Sequence, residues 1–100
     1  MIYNNNPIER INNGQAAYVW LSTIRNNGIE FRRNKAGMIV MRDYVLTMDD
    51  QMKTHRRCTF KCIISDGEFT EAYENAMQIV MEREREMMKA FDKISCDIKL

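Results

Sequence analysis

The run from Asp66 to Ile94 constrains this chain more than any other stretch, because it contains no proline and, after Gly67, no glycine. It reads as one helix. Ser65-Asp66-Gly67-Glu68 has the spacing of a capping box, in which the serine oxygen accepts an amide proton and Glu68 reaches back to the cap. Glu68, Glu71 and Glu74 crowd the first turns, where the positive end of the helix dipole favours anions, and Lys89 and Lys93 stand near the other end. Phe69, Tyr73, Ala76, Met77 and Val80 recur at the three- and four-residue spacing of a single apolar face, which should lie on a core. A local alternative makes Asp66-Gly67 a hairpin turn and Glu68 to Glu71 a strand.

The apolar pattern is then interrupted. Glu82-Arg83-Glu84-Arg85-Glu86 places charge on every side of the helix, with Glu82 and Arg85, and Glu86 and Lys89, spaced to pair. Met87, Met88, Phe91 and Ile94 resume the stripe. A helix of this length spans roughly 40 Å. A compact domain of this size has a radius of gyration of about 13 Å and a body about 33 Å across. The second stripe therefore either overhangs the core, over residues 82–95, or folds back after a kink near Arg85. Two methionines beside a phenylalanine make an adaptable apolar surface suited to docking.

Upstream, Asn6-Pro7-Ile8-Glu9 opens a helix that Asn12-Asn13-Gly14 breaks. Met1 to Asn5 reads as a short arm. Gln15 to Asn26 keeps helical spacing through Ala17, Leu21 and Ile24, with Asn27-Gly28 as its terminus and Trp20 in the core. Ile29 to Arg33 alternates like a half-buried strand, Asn34 to Gly37 is a turn, and Met38 to Leu46 is a second strand. After a turn at Asp49-Asp50, the third strand is clearest from Cys58 to Ser65 and could begin as early as Met52. The expected fold is α+β: one two-layer domain over residues 1–100, in the order helix, three-stranded antiparallel sheet, long C-terminal helix.

On the last strand, strict alternation turns Met52, Cys58, Phe60, Cys62 and Ile64 toward the helices. Lys53, His55, Arg57, Thr59 and Lys61 then make an open basic face, joined by Arg32 and Arg42. The chain is near neutral, at +1, yet split in sign: Gln51 to Ile64 holds four Lys or Arg and no acid, and Asp66 to Glu82 holds five acids and no base. Helix, three strands, helix is similar to the element order of double-stranded-RNA-binding domains. Those need lysines at the start of the last helix to hold phosphates, whereas this chain has Asp66-Gly67-Glu68-Phe69-Thr70-Glu71 there.

Catalytic and metal chemistry find little footing. The three cysteines, Cys58, Cys62 and Cys96, form no zinc-knuckle spacing with His55, and they read as reduced, buried thiols. His55 and Cys58, three apart on a strand, point to opposite faces. The glycines are scattered and cradle no phosphate. No apolar run of transmembrane length and no leader are present, so the expected location is the cytoplasm.

The functional expectation is a non-enzymatic protein-binding module without cofactor or metal, acting as inhibitor, regulator or adaptor of a larger complex. A phage-encoded inhibitor of a host nuclease or defence complex would be of this size and of this Asn- and Met-rich composition. Its contacts would come from Met87, Met88, Phe91 and Ile94 and from the basic residues Lys53, His55, Arg56, Arg57 and Lys61. Apolar anchors would supply affinity and the cations would steer. Self-association through the C-terminal helix is a variant of the same reading. The alternative is a nucleic-acid-binding regulator using the basic sheet face.

Overall fold

The structure, a computed structural model, describes residues 1–24 and 26–98, the stretch 91–98 through its backbone alone. Its elements are β1 (Ile2–Tyr3), α1 (Pro7–Asn12), β2 (Ala17–Trp20), β3 (Gly28–Arg33), β4 (Ile39–Met48), β5 (Thr54–Ile64), a 3-10 turn at Asp66–Glu68 and α2 (Phe69–Ile98). The class is α+β, and the sheet has five strands rather than three. They lie in chain order, each antiparallel to the next.

Both extra strands come from segments that read otherwise. Ile2–Tyr3, expected as a loose arm, pairs with Val19 and Trp20. Gln15 to Asn26, expected as a helix, is β2 followed by a loop. Ala17 and Val19 are fully buried while Tyr18 and Trp20 are half-buried, the period of two that defines a strand. The helical spacing of Ala17, Leu21 and Ile24 is a coincidence over a short window. Tyr18-Val19-Trp20, three β-favouring residues in a row, outweighs it. Gly28 opens β3 instead of ending a helix. Its φ is +151°, and a Cβ there would lie 2.1 Å from the Val19 carbonyl oxygen, so only glycine lets β2 and β3 approach so closely.

The core forms on one face of the sheet. Ala17, Val19, Ile29, Phe31 and Ile39 meet Phe69, Tyr73, Ala76 and Val80 of α2 and Ile11 of α1. The α2 residues follow the spacing that the sequence displays. The Phe31 ring packs edge-on against Phe69, with centroids 5.3 Å apart, and tilted against Tyr73 at 5.6 Å. The Tyr73 hydroxyl shares its proton between the Asn4 and Tyr18 carbonyls, at 3.0 and 3.1 Å, and accepts from the Asn4 amide. It thereby ties α2 to β1 and β2, and burial raises its pKa. Asp66-Gly67 is no hairpin turn. The Glu68 carboxylate accepts from the Ser65 amide and hydroxyl at 3.1 and 2.7 Å, which starts the helix where the capping-box spacing places it.

Trp20 is not in this core. It stacks on Tyr18 at 3.8 Å on the opposite face of the sheet. That face also holds Glu30, which is only 4 % exposed and sits between Arg32 and Arg56 at 3.4 and 3.3 Å.

The open basic face does not form as alternation requires. In the β4–β5 ladder Asp43 lies opposite Phe60 but Tyr44 lies opposite Cys58, so Thr59 is an extra, bulged residue. The bulge reverses the facing of everything before it. Lys61, opposite Arg42, is on the face away from the helices, as is Arg56, opposite Leu46. Arg57 and His55, opposite Val45 and Thr47, turn to the helix side. Of the residues expected to meet the helices, Ile64 does so, packed against the core. Phe60 is exposed, as are Met52 and Cys58, and Cys62 is half-buried. The helix layer leaves Phe60 uncovered, the bulge turns Cys58 to the opposite face, and Met52 lies in the turn before β5.

Candidate functional site

Among the described residues, the last hydrogen-bonded attachments of α2 to the body are two charged residues inside the block that reads as solvated. Arg83 donates both terminal nitrogens to the Asp43 carboxylate of β4, one of them at 2.8 Å. Glu84 accepts from the Ser22 amide at 2.6 Å and pairs with the N-terminal ammonium at 2.8 Å. Partial burial would raise the Glu84 pKa, but the ammonium and Ser22 outweigh it and hold it at about 2. Glu82 with Arg85, at 2.7 Å, and Glu86 with Lys89, at 3.6 Å, form the surface pairs that their spacing suggests.

Past Glu84 every residue to Ala90 is exposed, and the helix continues without a break to Ile98. Met87 and Met88 are 40 % and 57 % exposed. With Met81, Ile24, Ser22 and Thr23 they line a groove of about 710 Å³ between α2 and the β2–β3 loop. Phe91 and Ile94 fall on the same helix, but their side chains lie outside the described residues, as does that of Cys96. Neither Ile24 nor Met81 is among the docking residues that the sequence suggests. Met81 has the spacing signal, seven residues before Met88. Ile24 has none, because it depends on a loop folding back toward the helix.

The expected basic contacts are dispersed. Lys53 lies in the β4–β5 turn. His55 bonds Asp49 at 2.7 Å, and that bond, with the Lys53 and Gln51 amides, lowers the Asp49 pKa. The Arg56 guanidinium lies 4.0 Å from the Tyr44 ring centroid and pairs with Glu30, so it is engaged within the fold. Arg57 and Lys61 form no ion pair among the described residues, and the bulge sets them on opposite faces. The same bulge separates Cys58 from Cys62. Among the described residues no group of three or more His, Cys, Asp or Glu is placed to hold a metal ion, and no helix is long and apolar enough to cross a membrane.

Comparison with protein-family models, with curated proteins and with solved structures finds no match.

Proposed function

We propose that this chain is a non-enzymatic protein-binding module, an inhibitor, regulator or adaptor of a larger complex, which docks an apolar segment of its partner on the free half of α2. One observation carries the reading: Met81, Met87, Met88 and Ile24 line one apolar groove around and beyond the last described hydrogen bonds of α2 to the body. Flexible thioether side chains adapt to a partner's shape, and an exposed apolar groove rimmed by Glu84 and Arg85 is the composition of an interface centre with a polar rim. Phe91 and Ile94 extend the stripe in sequence.

The nucleic-acid alternative draws less support. Phosphate tracking favours several cations on one surface, and here Arg56 is held by Glu30 while Arg57 and Lys61 face opposite ways.

The test pairs the parent with Met87→Glu/Met88→Glu. Both positions are exposed, so the variant should melt within about 2 °C of the parent. A partner that co-purifies with the parent, identified by mass spectrometry and then produced pure, should bind the variant at least about a hundredfold more weakly in calorimetry. Unchanged affinity, or a variant that no longer folds, overturns the reading.

A further inference from the structure

From the β5 edge we infer a second docking site, for an extended acidic segment of a partner protein that adds to the sheet as a sixth strand. This deepens the protein-binding reading but uses a surface separate from the α2 groove. β5 is the last strand of the sheet, and among the described residues nothing pairs with its outer side from Thr54 to Ile64. Roughly 35 Å of backbone thus presents every second amide and carbonyl outward, a ladder that an extended peptide can complete and a nucleic acid cannot.

The side chains along this edge select the occupant. Lys53, Arg57 and Lys61 make no ion pair among the described residues, and no acid occurs from Gln51 to Ile64. Cations on an edge strand repel a second copy of the same strand. They attract an acidic one. Because Thr59 bulges, Arg57 stands on the helix side and Lys61 on the opposite side, so the incoming segment needs acids on both of its faces. Phe60, 54 % exposed on the helix side, and Ile63, 56 % exposed on the other, flank the edge with apolar surface for β-branched residues between those acids.

The probe is a synthetic peptide of about ten residues with Glu at both odd and even positions among Val and Thr. It is compared with its Glu→Lys analogue, with a copy N-methylated along one edge of its backbone, and with an oligothymidylate of similar length. The acidic peptide should bind, and amides within Thr54 to Ile64 should gain protection from hydrogen exchange. Binding should weaken roughly tenfold in Arg57→Glu and fall steeply with salt. The Lys and N-methyl peptides should not bind. Met87→Glu/Met88→Glu should bind the peptide like the parent, which separates failure of this site from failure of the α2 groove. Absence of peptide binding overturns the inference. So does oligothymidylate binding without amide protection, which would assign the edge to nucleic acid. Concentration-dependent protection of β5 without peptide also overturns it, as that would assign the edge to a second copy.

Discussion

Gly28 and Glu84 each hold a contact that one substitution can test. Gly28→Ala forces a methyl onto the Val19 carbonyl and should cost roughly 3 kcal/mol in urea denaturation. Glu84 titrates lower in the folded chain, at about 2, than its ordinary value of 4.5. Its stabilisation is therefore complete above about pH 4.5 and lost as pH falls toward 2. Glu84→Gln should be less stable than the parent by about 1 kcal/mol at pH 7, with the gap closing near pH 2 in melts followed by circular dichroism. Legibility at this scale follows whether a residue's role is local. Phe69, Tyr73, Ala76 and Val80 announce their burial by spacing, because one helix face suffices to place them. Glu84 and Arg83 sit in a run of alternating charge, and only the return of Ser22 and Asp43 in space singles them out.

The two hairpins that build β3, β4 and β5 share one turn geometry. Asn34 and Asp49 each accept, through their side-chain oxygen, the amides two and four residues on. Their backbones close with the same pattern, Asn34 to Met38 and Asp49 to Lys53, each at 2.9 Å. The fourth position is left-handed in both, at +82° in Gly37 and +64° in Met52. Methionine resists that conformation and glycine does not. Met52, 75 % exposed, can therefore become glycine with little packing lost, and Met52→Gly should raise stability by about 0.5–1 kcal/mol. Both turns are readable from Asn, Asp and Gly. The bulge at Thr59 is not, since its cause is the misfit between two strands and no residue type marks it. One unread extra residue dismantles the basic face that simple alternation assembles. β2 fails differently: its apolar residues satisfy both periods, and the pairing with β3 that decides between them lies outside its own window.

At the scale of the molecule, the extents are 57 × 31 × 19 Å and the radius of gyration is 15.8 Å, against about 13 Å for a compact chain of this length. Two projections account for the elongation. β3 covers β4 only as far as Tyr44, so Val45–Met48 and Thr54–Arg57 leave as a two-stranded ribbon. α2 starts after Ile64, crosses the core and passes Ser22, next to the Trp20–Gly28–Tyr44 row, so its free half leaves by the same end. Because α2 makes its last described attachments at Arg83 and Glu84, a chain ending at Glu86 should retain the parent melting temperature within a few degrees while losing the docking activity of the groove. A drop on the scale of a core mutation, more than about 3 kcal/mol, would show that the distal helix supports the fold. The sheet order, strand following strand as the chain is written, has its own corollary during synthesis. A ribosome releasing this protein can zip each hairpin as it emerges, with little delay for distant contacts. The greasy underside so assembled stays bare until Phe69 through Val80 pack against it, which makes the interval between sheet and helix the one in which a chaperone has something to hold.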